Sequence, residues 1–357
     1  MALASLTASA SGEREPVDSA DFEQLPWYKQ LMNNNFRIND PRIRYPKFPK
    51  FCVDVYNWGD RTFNTYDTTY VVGTGKNWKA MLRSYNWMQS YAIYFSDKEH
   101  LRLISNPYSD LGAYLCFMAV SLSYTGNMNA IADRTESRRK SFNFDFCCAL
   151  FSASLKYSKT SGGVKLTHVS DYHDAHPDIP LDDVAQRTIT GAAYYFFNHR
   201  KYSQAAAYSF SKYQLKSAGT WIAGLSFSHQ RITMDFRSLP PEVIAHVPML
   251  KPNYLFHYTD YDLLGGYGYN WVLYPKRWLI NGTILPSIGY KRSYETATEG
   301  RRNMFSTNVR AMASAVYNHK ALFAALQLNF EGHVYFSSDY TFFNSVESIA
   351  LVAGVRF

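Results

Sequence analysis

The chain has 357 residues, of which 46% are hydrophobic and 17% aromatic, and its formal net charge at pH 7 is +8. No stretch approaches the roughly 20 consecutive apolar residues that a transmembrane helix needs, so a helical membrane protein is excluded. The basic residues are scattered through predicted turns instead of forming one stripe, which argues against nucleic-acid binding. Abundant aromatics without helical periodicity are typical of a barrel whose strands are apolar on one side only.

The N-terminal region divides into two segments ahead of the predicted barrel. Residues 1–10 resemble the tail of a signal peptide with an Ala-Ser-Ala cleavage signal, although no basic region precedes them. Residues 11–63 contain five prolines and no sustained period of two, so we predict a segment that either lies outside the membrane or plugs the lumen. Residues 64–357 are the predicted transmembrane β-barrel.

Alternating polarity begins near Tyr66 and continues to the C terminus. It is cleanest in residues 320–334, where apolar side chains fill the even positions and polar side chains most of the odd ones. One face of such a strand is suited to lipid and the other to water. The pattern predicts an all-β fold, a transmembrane antiparallel up-and-down barrel of about 12 strands. The predicted strands are 66–73, 79–95, 110–124, 142–157, 187–198, 203–213, 218–231, 258–273, 277–290, 303–317, 320–334 and 345–357.

The loops between these strands provide a test of the topology. Bacterial barrels have short turns at the end that holds both termini and longer loops at the other end. With Phe357 at the short-turn end, the predicted loops obey this rule except for 158–186, which is long but falls at that same end. Residues 162–169 are a candidate for one additional strand in that loop.

Hairpin parity fixes which residues share a face. With a turn at Asn318 and His319, paired residue numbers sum to an odd total. This register places Arg310 opposite Gln327 and directs both side chains into the lumen.

The last strand carries a more specific signal. Its alternate residues are apolar and lie on one face, and the chain stops on an aromatic residue; they are Ile349, Leu351, Ala353, Val355 and Phe357. This resembles the C-terminal signal of Gram-negative outer-membrane barrels, which the barrel-assembly machinery recognises. The resemblance implies an outer-membrane location with both termini periplasmic, and a periplasmic or lumen-plugging segment at 11–63.

Two further stretches resemble an uncharacterised family of Bacteroidetes outer-membrane barrels. They are Lys216-Ser217-Ala218-Gly219-Thr220 and Gly266-Tyr267-Gly268-Tyr269-Asn270. The resemblance covers most of the chain from about Tyr66. It implies location and fold and brings no activity, because that family has none assigned.

Candidate binding residues are the polar side chains predicted to face the lumen. They are Arg310, Gln327, Asn329, Glu331, His333, Asp260 and Asp262, with Asn270, Asn143 and Asp145 beside them. A structural polar network and a selective passage both fit this set. A second set, in predicted outer loops, has the charge to contact lipopolysaccharide phosphates. It consists of Arg138, Arg139, Arg301 and Arg302.

Signals for catalysis and cofactors are weak. His168, His173 and His176 lie among aspartates, but their spacing matches no recognised metal site, so we predict neither a metal nor a cofactor. Ser228 and His229 are neighbours on opposite faces of a strand, which disfavours a nucleophile and base pair. We therefore expect a non-enzymatic structural or partner-binding barrel with a largely filled polar lumen. A narrow, porin-like solute channel and a lipid-modifying hydrolase remain the alternatives.

Overall fold

The computed structural model describes residues 24–34, 37–76, 78–95, 99–117, 120–128, 138–170, 172, 178–181, 183–294, 303–337 and 339–357. The chain forms two compact units, residues 1–62 and 63–357. The signal-peptide-like residues 1–10 lie outside the described residues.

The first unit contains two helices, α1 (Trp27–Asn33) and α2 (Lys47–Phe63). Gln30 of α1 joins the segments around it: its amide nitrogen donates to the Leu25 carbonyl at 2.8 Å, and its amide oxygen accepts from the Arg44 backbone at 3.1 Å. Helix α2 exposes an apolar stripe that includes Phe48, Phe51 and Trp58. In the described part of the chain, no helix combines the length and the apolar character needed to cross a membrane.

The second unit is almost entirely β-structure. In chain order its elements are β1 (Val71–Gly73), β2 (Trp78–Tyr94), β3 (His100–Ser105), β4 (Tyr108–Phe117), β5 (Val120–Asn127), β6 (Arg138–Cys147), β7 (Phe151–Ser161), β8 (Val164–Val169), β9 (Ile179–Leu181), β10 (Ala185–Phe196), α3 (Gln204–Tyr208), β11 (Lys212–Gln214), β12 (Ala218–Asp235), α4 (Pro241–Ala245), β13 (Asn253–Tyr274), β14 (Trp278–Ser293), β15 (Asn303–His319), β16 (Leu322–Phe336) and β17 (Thr341–Arg356).

Twelve of the described strands form one antiparallel path, in the order β6-β7-β10-β12-β13-β14-β15-β16-β17-β2-β4-β5. Strand β2 continues at its far end into a side sheet, β3-β8-β9, and β1 pairs separately with β11. Neighbours on the path are mostly neighbours along the chain, as in an up-and-down barrel. The prediction of an antiparallel barrel of about 12 strands is confirmed.

The strands are inside-out relative to a soluble sandwich. Along β14, Ile280, Ile284 and Ile288 are exposed on the outer face, whereas Asn281 and Ser287 are buried on the inner face. The same pattern exposes Trp221 and Leu225 of β12, at 67% and 64%. An exterior of large apolar side chains around a polar interior is the arrangement that a lipid environment stabilises.

Four predicted strands were wrong, and their errors cancel in the strand count. Residues 110–124 and 142–157 each contribute to two paired strands instead of one, β4 with β5 and β6 with β7. Residues 66–73 contribute only β1, and 203–213 form α3 and β11. The alanine-rich 204–208 segment follows a Ser that caps a helix, so local helix preference prevailed there.

The hairpin between β6 and β7 resolves the exceptional loop at 158–186. Its turn lies at the end of the barrel that holds Phe357. Phe151, just after that turn, pairs with Tyr195, and Tyr195 pairs in turn with Ala223 near the start of β12, at the same end of the barrel. The segment after β7 therefore emerges at the opposite end, together with the other long connections. It contains β8 and β9, so the predicted strand at 162–169 exists, although in the side sheet and not in the barrel wall.

The predicted register of β15 and β16 was displaced by four residues. Arg310 lies opposite Glu331, and His319 pairs with Leu322 across a turn at Lys320 and Ala321. Lys320 has φ of 52°, the left-handed conformation that tight hairpins require. A displacement by an even number preserves parity, so the assignment of residues to the two faces still holds.

Candidate functional site

Residues 197–217, here called the plug, leave the barrel wall and fold into its lumen. Strands β10 and β12 pair directly, with Phe196 opposite Ile222, so nothing between them belongs to the wall. The plug contains α3, whose first turn is capped by Ser203: its hydroxyl oxygen accepts from the Ala206 amide at 3.2 Å. Most residues of α3 are buried. The lumen at the Phe357 end is therefore occupied by the chain itself.

Two cations of the wall hold the C-terminal end of α3. Arg356, only 2% exposed, donates from Nε to the Phe210 carbonyl at 2.9 Å and from a terminal nitrogen to Asn318 at 2.7 Å. Lys79, also buried, donates to the Ser209 carbonyl. Positive charge near a helix C terminus is favourable to the helix dipole, and here it binds the carbonyls of the two residues that follow α3. These two side chains are the electrostatic anchor of the plug.

A layer of amides and phenols supports the plug from the side. The Asn270 amide donates to the Ser203 carbonyl at 3.1 Å, and Asn281 exchanges hydrogen bonds with Tyr202 at 3.0 Å and Tyr208 at 2.8 Å. Burial raises the pKa of both phenols, which therefore remain neutral hydrogen-bonding groups. Ser314 donates to the Ala207 carbonyl at 2.8 Å. The plug is thus tied to the wall through its backbone.

The two stretches that carried the family resemblance meet at this plug. They pair across β12 and β13, with Gly219 opposite Tyr269 and Thr220 opposite Gly268. The side-chain amide of Asn198 donates to the Gly219 carbonyl at 2.8 Å, and its backbone donates to the Thr220 hydroxyl at 2.9 Å. These two stretches were the sequence signal that could have located the plug.

A large apolar cluster, here called the apolar cap, lies at the opposite end. The side sheet supplies Leu101, Leu103 and Leu166, all 0% exposed, and these pack with lumen-facing side chains of the wall such as Phe256 and Phe342. The further buried members are Tyr91, Ile93, Val164, Val169, Leu181, Val184, Ile232, Met234, Phe236, Leu239, Val243, Val247, Tyr254, Tyr258, Tyr335 and Tyr340. An apolar cluster of this size inside one end of a barrel excludes water there.

A polar cavity of about 330 Å³ lies between the plug and the cap. Gln204, Tyr208 and Ser209 line it from the plug, and Gln89 and Gln230 line it below the cap. Its charged lining residues are three cations and three carboxylates: Arg83, Lys156, Arg310, Asp110, Asp145 and Glu331. The cavity is therefore close to electrically balanced. This is the candidate functional site.

Glu331 is the centre of the charge cluster in this cavity. Its carboxylate lies 3.2 Å from Lys156 Nζ, on the opposite side of the lumen, and 3.2 Å from Arg310 Nε on the neighbouring strand. Arg310 also lies over the Tyr194 ring, 5.7 Å from its centre. Lys156 was not among the residues predicted from the sequence, because cross-lumen contacts have no fixed sequence spacing.

A second cluster is buried deeper in the wall. Asp260 Oδ2 lies 3.3 Å from Lys291 Nζ, and the two side chains are 0% and 1% exposed. The same ammonium donates to the Val334 carbonyl at 2.7 Å and lies 4.4 Å from the centre of the Tyr258 ring. Asp262 accepts hydrogen bonds from Ser226, Ser306 and Asn308. Lys291, like Lys156, was not among the lumen residues predicted from the sequence.

The other predicted lumen residues occupy several levels. Gln327 donates weakly to the plug at the Tyr208 carbonyl, 3.5 Å away, and Asn329 donates to Ser348 at 3.3 Å. His333, Asn143 and Asp145 line the cavity, whereas Asn270 supports the plug.

The remaining predicted residues lie elsewhere. Arg138 and Arg139 begin β6, and Arg301 and Arg302 lie outside the described residues, as do His173 and His176. The His168 ring lies 4.9 Å from that of His100, and no group of three metal-ligating side chains occurs in the described ranges. Of the terminal-strand residues, Ile349, Leu351 and Phe357 are at least half exposed on the outer face, Ala353 is exposed there too, and Val355 is half-buried.

Comparisons with solved structures show low sequence identity. The outer-membrane protease OmpT from Escherichia coli matches with 10% identity and a TM-score of 0.35, covering 80% of this chain and 98% of its own. The P. putida toluene transporter TodX matches with 6% identity and a TM-score of 0.24, covering 79% and 90%. No curated protein matches the chain significantly. A family model, "Domain of unknown function (DUF4421)", matches residues 65–357. This chain therefore belongs to the DUF4421 family.

Proposed function

We propose that this protein is a closed, non-enzymatic barrel of the Gram-negative outer membrane, which acts through a structural or partner-binding role. The observation that carries the proposal is the plug: residues 197–217 fill one end of the lumen and are anchored there by Arg356 and Lys79. The apolar cap adds a second closure at the other end. With the plug at one end and the apolar cap at the other, the polar cavity is enclosed. Its side chains then form an internal polar network and do not line a path for solute.

Planar-bilayer recording tests this closure. The purified wild-type barrel is expected to give a flat current trace. Replacing residues 201–213 by a flexible Gly-Ser linker should also leave the trace flat, because the cap remains. Stepwise conductance of the wild type would contradict the proposal. It would favour the second candidate, a narrow solute passage, for which the 330 Å³ polar cavity is the supporting feature.

The hydrolase alternative receives less support from the geometry. Ser228 faces the interior and lies 3.3 Å from the Thr190 hydroxyl, whereas His229 faces outward and contacts Thr259 at 2.8 Å. An unchanged lipid profile after deletion of the gene is the expected result. Accumulation of an acylated or phosphorylated precursor lipid would contradict a non-enzymatic role.

We also propose that both termini are periplasmic. The connections at the Phe357 end are short turns, such as that between Tyr274 and Trp278, except for the plug, which is folded inward. The long connections lie at the other end. An epitope inserted at 295–302 should bind antibody on intact cells, and the same epitope at 275–276 should not. The reverse labelling would overturn this orientation.

A further inference from the structure

The outer face of the barrel carries a row of cations at the end opposite Phe357. Lys159, Arg187 and Arg231 occupy directly paired positions on β7, β10 and β12, and His257 continues the row on β13. All three charged side chains are exposed. Directly opposed like charges destabilise a sheet, since paired Cβ atoms lie only about 5 Å apart. Negative charge from another group would therefore stabilise this row of cations.

The described residues of the chain supply little of that charge. None of their salt bridges involves Lys159, Arg187, Arg231 or Arg292, which lies beside the row on β14. The neighbouring Asp235 is already bound through both carboxylate oxygens by Arg237. Arg187 instead lies over the Tyr157 ring, 5.6 Å from its centre.

An aromatic row runs parallel to the cations, four residues nearer the membrane centre. Phe227, Tyr261, Tyr290 and Phe305 occupy paired positions on four consecutive strands, and Gly191 continues the row on β10. At a strand rise of about 3.3 Å per residue, the two rows are separated by roughly 13 Å. Aromatic girdles mark the boundary of the hydrocarbon, which places the cations in the headgroup layer.

The Phe227 ring lies over Gly191, where a Cβ would come within 2.2 Å of a ring carbon, and the small residues Gly191 and Ala193 line an exterior groove beside that ring. The exterior groove has a volume of about 890 Å³, and its apolar walls include Leu155, Ala193, Leu225 and Phe227. It lies on the same strands, β7, β10 and β12, that carry Lys159, Arg187 and Arg231. An apolar groove directly below a cluster of cations matches a molecule with acyl chains and a phosphorylated head.

We propose that this outer surface binds lipid A, the phosphorylated glycolipid anchor of lipopolysaccharide, with acyl chains in the groove and phosphate against Arg187 and Arg231. The choice of lipid A over a phospholipid follows from the proposed orientation, which turns the cation row toward the outer leaflet. The site differs from the loop arginines considered in the sequence. It is formed by rigid strands instead of loops.

Lipid binding to the purified, folded barrel in neutral detergent tests the headgroup contact. Wild-type protein is expected to bind bisphosphorylated lipid A, and the variant Arg187→Gln/Arg231→Gln should bind about thirtyfold more weakly. The matched control is Lys276→Gln/Arg277→Gln, which removes two cations from the turn at the opposite end. It should bind within about twofold of wild type.

Three results would overturn the proposal. They are wild-type affinity in the Arg187→Gln/Arg231→Gln variant, equal affinity of the wild type for dephosphorylated lipid A, and equal affinity for phosphatidylglycerol. The last result would replace lipid A by any anionic lipid. Heat-modifiable migration of each variant verifies that it is folded. The epitope test on intact cells checks the orientation independently, so failure of the lipid site and failure of the orientation can be distinguished.

A second pair of variants tests the groove. Ala193→Phe places a ring in the groove, and Ala223→Phe places the same ring on the adjacent strand outside the groove lining. Both alanines are exposed on the lipid-facing surface, so both variants are expected to fold. Loss of lipid A binding in Ala193→Phe alone supports the groove. Equal binding by both variants would exclude it.

Discussion

Lys291 and Asp260 form an ion pair that is wholly enclosed by the barrel, with 3.3 Å between the ammonium and the carboxylate. Removing one partner leaves the other charge buried without compensation, which is costly in a low-dielectric interior. We expect Lys291→Met to lower the free energy of unfolding by about 3–5 kcal/mol in urea titrations of the folded barrel.

The double variant Asp260→Leu/Lys291→Met should recover most of this loss, because an apolar pair needs no counter-charge. The control is Arg237→Ala, which breaks the exposed pair with Asp235 and should leave the urea unfolding curve close to that of the wild type. If the double variant is as unstable as Lys291→Met, the loss does not come from an unpaired buried charge, and the two side chains must stabilise the barrel through other contacts.

Glu331 neutralises two cations that approach it from different strands, Lys156 and Arg310. Glu331→Gln should therefore destabilise the barrel by about 1–3 kcal/mol, since both cations then face each other across the cavity. Lys156→Gln leaves the Glu331 carboxylate paired with Arg310, so it should cost less than Glu331→Gln. Equal losses for the two variants, measured by urea unfolding, would argue against this central role.

Gly265 and Gly266 are adjacent in β13 but have different surroundings. A Cβ at Gly266 would lie 2.0 Å from the Ile284 carbonyl oxygen, whereas a Cβ at Gly265 would meet nothing within 4 Å. Gly266→Ala is expected to destabilise by about 1–3 kcal/mol because backbone must move, and Gly265→Ala should be close to neutral. Thermal unfolding followed by gel migration measures both. Similar midpoints for the two variants would refute the close approach.

Phe357 pairs with Trp78, the first residue of β2: their backbones exchange hydrogen bonds at 3.0 and 3.1 Å, and their rings stack at 6.4 Å. Phe357→Ala and Trp78→Ala should have similar, small effects on the stability of refolded protein, about 1 kcal/mol, because each removes the same ring contact. Only Phe357→Ala should strongly lower the folded amount in cells, if the terminal residue is also an assembly signal. Equal cellular levels of both variants would contradict that role.

The sequence by itself determined the barrel and the faces of its strands. Lipid outside and a polar lumen inside impose a period of two on every wall strand. A strand register predicted wrongly by an even number of residues still assigns each side chain to the correct face, as for Arg310 and Glu331. The same period of two predicted the apolar outer face of the last strand, which includes Leu351.

Only the tertiary structure decided what occupies the lumen. Residues 203–213 alternate well enough to be read as a strand, but Ser203 caps a helix there. The buried Arg356, 146 residues later in the chain, donates to the Phe210 carbonyl just after that helix. The Lys156–Glu331 contact likewise spans 175 residues. Sequence periodicity reports the two environments of each strand, whereas the pairing of side chains across a lumen depends on closure of the sheet, which no local pattern encodes.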